Sequence, residues 1–380
     1  RGIERRRRSE SVALMTAAPV NQALIGRRAT LRDVARAAGT TPMTVSNVVN
    51  GRAGQVGKPL ADRVMKACQT LGYRPHANAR RLRTDRRQAI GVIIIDPSPY
   101  YVSDPLTAAV LAGLNARLGA RGYSIVIHGV SPTALDSVSM LRQVESDGVC
   151  LMLSGDARAR SMVIDRVATL QQPVVLIQDR MPEDATDCAS VLQDDFGGGR
   201  AVAEHLLDGG ARRIVMLKPA LEWPAMERRE QGVRSALAGR GGSVAFDVVR
   251  GRDEGFEATQ AALSRHIEAH GAPDALIGGN DQMAIAGMRL LSDRGLRIPQ
   301  DVRVTGFNGL EFWRYATPEL STVFSPAYAL GETAADAMLA RLAEGAFPFR
   351  EQVLPVRFAA HGSSASPQSE SPARSISGSA

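Results

Sequence analysis

Residues 30–50 read Thr30-Leu31-Arg32-Asp33-Val34-Ala35-Arg36-Ala37-Ala38-Gly39-Thr40-Thr41-Pro42-Met43-Thr44-Val45-Ser46-Asn47-Val48-Val49-Asn50. Two short helices are written there with their own start and stop signals. Thr30 can accept from the backbone N–H of Asp33, and the charge of Asp33 suits the positive helix end. Leu31, Val34, Ala35 and Ala38 share one face at helical spacing, and Gly39 permits the left-handed turn that ends the helix. Thr41 then caps a second helix with Pro42 at its first position, where a missing N–H costs nothing. Val45, Val48 and Val49 face inward while Met43, Thr44, Ser46 and Asn47 stay outside. A third amphipathic segment, Leu60 to Leu71, closes a minimal core and stops at Gly72. Small Ala35 and Ala38 let the first two helices cross closely, the arrangement that lays a second helix in a major groove.

Charge points the same way. Residues 1–87 hold 19 Arg or Lys against 5 Asp or Glu, a surplus of 14, whereas the rest of the 380-residue chain holds 27 against 34. A basic end on an acidic body implies a polyanionic partner, either nucleic acid or an anionic membrane face. No apolar run approaches the ~18 residues of a membrane span. Cys68, Cys150 and Cys188 are odd in number and far apart, so they suggest neither a disulfide framework nor a metal cluster, and the cytoplasm is the expected compartment. Residues 1–29 start with a basic cluster, Arg5–Arg8, and show no period. A signal peptide over Val12–Ala18 is disfavoured by Glu10, Thr16 and Pro19, and residues 1–14, ahead of Met15, are expected to lie outside the native protein. Gly362–Ala380 is rich in Ser, Pro and Gly and is expected to be a disordered tail.

Between Gln88 and Ala360, β-branched runs alternate with helical patterns. Ala89–Ile95, Ser124–Ile127, Val149–Leu153 and Val174–Ile177 read as buried parallel strands. Ala108–Ala120, Leu135–Ser146 and Met162–Leu170 read as helices between them. After Asp194 the rhythm restarts, with helices over 197–208, 225–238, 256–269 and 282–293 and strands over 213–217, 244–249, 274–278 and 302–306. Alternation of this kind means parallel sheets with right-handed crossovers, and so many strands exceed one comfortable core. Two open, doubly wound lobes are expected.

Beyond the helices comes L-G-Y-R-P-H-A-N-A-R-R-L (71–82), then I-G-V-I-I-I-D (90–96). Further pieces are E-H-L-L-D-G-G-A-R-R-I (204–214), G-G-N-D-Q-M-A-I-A-G (278–287), I-P-Q-D-V-R-V-T-G-F (298–307) and P-E-L-S-T-V (318–323). In this order, together with 30–50, they resemble the lactose-repressor (LacI-type) family of bacterial transcription regulators from Thr30 to about Pro355. The resemblance implies a small all-α helix-turn-helix headpiece over 30–74, a hinge helix and linker over 75–87, and a periplasmic-binding-protein-like α/β sensor over 88–361. Crossovers near Ser190, Val323 and Leu354 would divide the sensor into lobe 1 (88–190 and 325–352) and lobe 2 (191–324 and 353–361).

The resemblance also implies roles. Thr30, Thr41, Pro42, Met43, Thr44, Ser46, Asn47, Asn50 and Tyr73 would approach bases or phosphates of an operator. Asn47 stands where many relatives carry arginine; Asn favours adenine whereas Arg favours guanine. In the hinge, Ala77 and Ala79 permit close approach to the minor groove and Leu82 would be the wedge between base pairs; His76 replaces the usual Asn. Arg74, Arg80, Arg81, Arg83, Arg86 and Arg87 would neutralise phosphates. Effector contacts would come from Ser98, Tyr100, Tyr101, Gln178, Arg229, Asn280 and Asn308 in the interlobe cleft. Asn308 and Gln178 occupy common aspartate positions, with Asp179 able to substitute if its loop shifts by one. The expected effector is a sugar or a sugar acid and the expected target a carbohydrate or sugar-acid catabolic operon; with Arg229 facing no carboxylate at position 308, the residues lean toward the acid.

Other classes fit less well. Gly197-Gly198-Gly199 before a helix hints at a phosphate cradle but lacks the G-x-G-x-x-G order and a P-loop lysine. No G-x-S-x-G elbow appears. His266 and His270, four apart on a helix, have no third ligand nearby for zinc. An enzyme or an exported sugar-binding protein on the same lobes leaves residues 30–84 unexplained. The expectation is a non-enzymatic regulator without cofactor or metal, working beside the bacterial nucleoid. It would be a homodimer on an inverted-repeat operator, with Met162 and the helix Leu106–Leu118 contributing to the dimer. The effector would release it from DNA, or, in the alternative, tighten its grip as a corepressor.

Overall fold

The computed structural model of the chain describes residues 29–50, 56–74, 86–96, 101–131, 134, 137–240 and 244–365. They belong to two compact units that divide between Asp85 and Arg86. In the first, α1 (Leu31–Ala38), α2 (Pro42–Val49) and α3 (Lys58–Leu71) pack around one core. A reciprocal cap starts α1: Asp33 N donates to Thr30 Oγ1 at 3.3 Å and Thr30 N to Asp33 Oδ2 at 2.9 Å. Gly39 (φ 61°) and Gly72 (φ 60°) end α1 and α3 in the left-handed region. Val34, Val45 and Val64, one from each helix, are wholly buried, each worth about 1.5–3 kcal/mol relative to exposure. Aliphatic side chains carry this core because aromatics make up only 4% of the chain.

The second unit holds two six-stranded sheets. The first comprises β1 (Ala89–Ile95), β2 (Ser124–Val130), β3 (Val149–Leu153), β4 (Val174–Ile177), β5 (Cys188–Gln193) and β11 (Glu351–Leu354), in the order β11-β5-β4-β3-β1-β2. All of its pairings are parallel. The second comprises β6 (Arg213–Pro219), β7 (Ala245–Gly251), β8 (Ala275–Gly278), β9 (Arg303–Asn308), β10 (Ser321–Phe324) and β12 (Arg357–Ala359), in the order β12-β10-β9-β8-β6-β7. Only β10 and β12 pair antiparallel. The helices are α4 (Pro105–Ala120), α5 (Ala157–Ala168), α6 (Asp195–Asp208), α7 (Pro224–Ala238), α8 (Phe256–His270), α9 (Asp281–Asp293) and α10 (Ala327–Glu344). Separate apolar clusters line the two faces of each sheet. Strand order reverses at β1 in one lobe and at β6 in the other, which opens a crevice at the strand carboxyl ends of each.

Several expectations are corrected. The stretch 135–146 is not an α-helix over its described part, where the 3-10 turn Ser139–Leu141 stands instead. Ser137 Oγ donates to the Ala134 carbonyl, local bonding that competes with helix, while Val138 and Leu141 still reach the core. Ser190 is not a crossover; it lies inside β5, a fully buried strand paired on both sides. The chain therefore leaves lobe 1 after Gln193. It leaves again after Leu354, since β11 belongs wholly to the first sheet and takes residues 353 and 354 with it. The structured chain also continues past 361. Ser363 and Ser364 are buried, Val304 N donates to Ser363 O at 2.8 Å, and Ser364 Oγ meets Ser321 Oγ at 2.6 Å. A Ser-rich composition reads as disorder, yet these residues bond to Val304 of β9 and Ser321 of β10 in the second sheet.

Candidate nucleic-acid interface and effector cleft

In the first unit α2 presents the polar face. Thr41 Oγ1 accepts from Thr44 N at 3.2 Å, and Asn50 Nδ2 donates to Ser46 O at 2.6 Å, so both ends of the helix are braced. Met43 is 68% exposed, Thr41 and Pro42 are exposed, and Thr44, Ser46 and Asn47 are half-buried. No acidic residue lies in α2, so its positive end faces solvent uncompensated, which suits a phosphate. Arg32, Arg36, Lys58, Arg63, Lys66 and Arg74 are exposed on the same unit. Thr30 donates its hydroxyl to Asp33 Oδ2 at 2.6 Å and acts in the cap. Tyr73 corrects the expectation of a surface residue: it is 9% exposed and packs in the core beside Cys68. Arg86, expected on a phosphate, donates instead to the Leu342 carbonyl at 2.7 Å within the sensor. His76, Ala79 and Leu82 lie outside the described residues.

In the second unit a cleft of about 580 Å³ opens between the lobes. Three chain crossings hinge it. Asp194 N donates to Leu354 O at 3.0 Å, and Ser325 Oγ donates to Gln193 Oε1, tying the crossings to one another. Of the expected effector residues, Tyr101, Gln178, Arg229, Asn280 and Asn308 meet on the cleft wall; Ser98 and Tyr100 lie outside the described residues. The Tyr101 ring covers Gly129 of β2, where a Cβ would fall 1.8 Å from it. Gln178, at φ 67°, turns the chain at the end of β4. Asp179 does not stand in for it, because Arg160 Nε holds its carboxylate at 2.8 Å.

Arg229 overturns the argument for an acidic ligand. It is 3% exposed and already committed: Nε donates to Asp195 Oδ1 at 2.8 Å, Nη1 to Gly279 O at 2.5 Å and Nη2 to Asn308 Oδ1 at 3.2 Å. Its guanidinium also lies 3.6 Å from the Phe307 ring centroid. The opposing carboxylate that position 308 lacks is supplied by Asp195. Gly199 and Gly232 set this up, since a Cβ on Gly199 would come 2.2 Å from Arg229 O and one on Gly232 2.1 Å from Phe196 O. The Gly197–Gly199 run thus serves helix contact rather than a phosphate cradle.

The remaining charged side chains of the wall are acidic. Asp104 caps α4 by accepting from Thr107 N at 2.8 Å. Glu254 accepts from Asn280 Nδ2 at 2.8 Å; burial, then Asp104 and Asp96, push its carboxyl up to about 8. Behind the wall, burial raises Asp281 to about 7 despite its bond from Thr322. Trp223 lines the cleft, whereas Trp313 stacks on His361 at 4.4 Å inside lobe 2. Sequence reasoning missed Asp96, Asp104, Asp195 and Glu254. A signal existed only for Asp104, as the cap ahead of Pro105. Among the described residues no group of three or more His, Cys, Asp or Glu is placed to hold a metal ion. Among the described residues no helix is long and apolar enough to cross a membrane.

Residues 30–76 match the profile of bacterial regulatory proteins of the lacI family, and residues 203–364 that of the periplasmic binding protein-like domain. The transcriptional repressor PurR of Vibrio campbellii is 29% identical over 319 residues, covering 83% of this chain and 92% of its own. The ribose operon repressor of Escherichia coli is 29% identical over 324 residues, covering 83% and 94%. A solved complex of the regulator CelR with cellobiose superposes with a TM-score of 0.64 at 26% identity, covering 88% of this chain and all of that one. With its braced polar helix and its hinged two-lobe sensor, the chain carries over residues 30–76 the domain of the lacI family of bacterial regulatory proteins, which are DNA-binding transcription regulators and not enzymes, and over 83% of its length it is similar to transcriptional repressors.

Proposed function

We propose that this protein is a dimeric repressor that grips an inverted-repeat operator with paired headpieces and leaves it when a small metabolite closes the interlobe cleft. The observation that carries the reading is the joint presence, in one chain, of an acid-free exposed recognition helix and a hinged cleft. A two-fold pair of headpieces reads two half-sites one helical turn apart or multiples of it. Dimer contacts are assigned to exposed lobe surface such as Met162 on α5, which is 63% exposed. The leucines of the expected helix Leu106–Leu118 contribute less, because Leu111, Leu114 and Leu118 are spent inside lobe 1 against α10. Relatives named for a ribose operon and for cellobiose support a carbohydrate-sized effector. The neutralised Arg229 argues against a sugar acid. This role places the protein in the bacterial cytoplasm, beside the nucleoid.

The test is a mobility shift with duplex fragments upstream of its own gene and neighbouring genes. Affinity is expected to fall with salt as roughly the 0.9 power per phosphate contacted, and removal of residues 1–87 to abolish the shift while leaving effector binding intact. A chain that binds no such fragment in a salt-sensitive way refutes the reading. Effector added to the same assay reads its sign, release or tightening.

A further inference from the structure

The two ends of the cleft differ in chemistry. At one end the wall is made by Met152 and Leu153 at the end of β3, Ile177 at the end of β4, and Trp223, Pro224 and Ala225 where α7 begins. Two contacts across the lobes hold these segments together: Gly155 N donates to Glu222 O at 2.8 Å and Arg228 Nη2 to Gln178 O at 2.7 Å. The Ser154 hydroxyl at this end is spent on the Ile95 carbonyl at 2.6 Å. The Gln178 amide offers one donor, since its Nε2 has no partner among the described residues. At the other end, Asp104 and Asp96 of lobe 1 stand near enough to Glu254 of lobe 2 to raise its carboxyl, and Asn280 donates to Glu254 at 2.8 Å. This end asks for hydrogen bonds rather than for a counter-charge. Asp104 caps α4, Asp96 is engaged within the protein, and Glu254, raised to about 8, is mostly protonated near neutral pH. The hydroxyls of one neutral sugar ring suit it. A monosaccharide alone leaves the apolar end unfilled and forgoes its burial. A second sugar ring carries hydroxyls into that end, where each one without a partner costs about five- to 150-fold in affinity. We propose that the effector is a neutral glycoside of an aromatic alcohol, its sugar ring at the Asp104, Glu254 and Asn280 end and its aglycone between Leu153, Ile177 and Trp223. The inference rests on the reading of the cleft as the effector site.

The experiment titrates the full chain with phenyl glucosides, galactosides and xylosides of both anomers. The matching methyl glycosides, the free sugars, cellobiose and phenol run beside them, read by Trp223 fluorescence and by the change in operator binding. At least one phenyl glycoside is expected to bind about tenfold or more tightly than its methyl match and than phenol. Leu153→Gln puts a polar group into the apolar end. It is expected to cut that preference to about threefold or less while the methyl glycoside binds as it does to wild type, whereas a merely structural defect lowers both alike. Met152→Gln repeats the test from the neighbouring position. Phenyl and methyl glycosides that bind equally, phenol or cellobiose that binds as tightly as the phenyl glycosides, or a panel in which nothing binds would each overturn the proposal. So would a preference that survives in both variants, or a loss of both ligands alike in both. Ile285→Trp, which narrows the cleft, separates the two levels. A methyl glycoside that matches its phenyl form on wild type and fails on this variant keeps the cleft and sinks the aglycone, whereas a phenyl glycoside that acts on both equally sinks the cleft itself.

Discussion

Asp195→Asn tests the central electrostatic argument. The Asp195 carboxylate is 1% exposed, accepts from Arg229 Nε at 2.8 Å and from Gln193 Nε2 at 2.9 Å, and lies 3.8 Å from Arg228. The substitution preserves volume but removes the charge opposite a guanidinium that cannot lose its own. Breaking a buried pair on one side costs about 3–5 kcal/mol, because a charge is left without compensation. At about 2–4 °C per kcal/mol for a body of this size, the melting point of the sensor is expected to fall by about 6–20 °C. Thermal unfolding followed by circular dichroism measures this directly. The variant also makes the cleft wall more positive, so glucuronate is expected to bind the variant and not the wild type. Pairing the change with Arg229→Met removes both charges and is expected to restore part of the loss, a coupling that a double-mutant cycle quantifies. A loss below about 1 kcal/mol, within the range of exposed ion pairs, would show that Asp195 does not neutralise Arg229 and would reinstate the case for an acidic effector.

Glu254 gives a pH prediction. Its carboxyl rises from 4.5 to about 8 on folding, through burial and then Asp104 and Asp96, with Asp253 adding and Asn280 opposing. A raised acid contributes its stability fully below pH 4.5 and loses it as pH climbs through 8. The advantage of Glu254→Gln over wild type in urea unfolding should therefore grow across that window by about 1–3 kcal/mol, discounted for water in the open cleft; a constant gap would refute it. Arg228 Nη2 donates to the Gln178 carbonyl at 2.7 Å across the lobes, so Arg228→Ala is expected to open the cleft and weaken effector binding about tenfold. Unchanged small-angle scattering and affinity would count against that latch. For the headpiece, selection of binding sites from random duplexes is expected to shift a half-site position from adenine toward guanine in Asn47→Arg, and identical site preferences would remove Asn47 from base reading.

The headpiece was legible because its signals are local: Thr30 with Asp33, Thr41 with Pro42, and Gly39 and Gly72 each act within a turn of the helix they bound. The alternation of strands and helices was legible for the same reason, since periodicity is a neighbour relation. What failed was long-range. Asp195 precedes its partner Arg229 by 34 residues, and nothing near Asp195 announces a cation. Glu254 sits after β7, and its carboxyl is raised by burial and then by Asp104 and Asp96 on the other lobe. Ser363 and Ser364 look like tail until Val304 and Ser321 are in place to bond them. β5 went unread as a strand because Cys188–Gln193 (C-A-S-V-L-Q) begins and ends in residues that read as loop, while its neighbours on both sides bury it.

The contact at Gly199 has a consequence for how such a regulator acquires a new signal. Helix α6 touches the main chain of Arg229 itself, with no side chain between them to compress or rearrange. The guanidinium is thus anchored through its backbone as well as through Asp195, and any larger residue at position 199 disturbs it from outside the ligand chamber. Diversification toward other metabolites is channelled to segments without that constraint: the turn at 101–104 and the loop at 254–256, whose side chains reach the chamber from opposite walls. A lineage can redraw those two rims while the arginine stays as a fixed reference point from which each new ligand is measured.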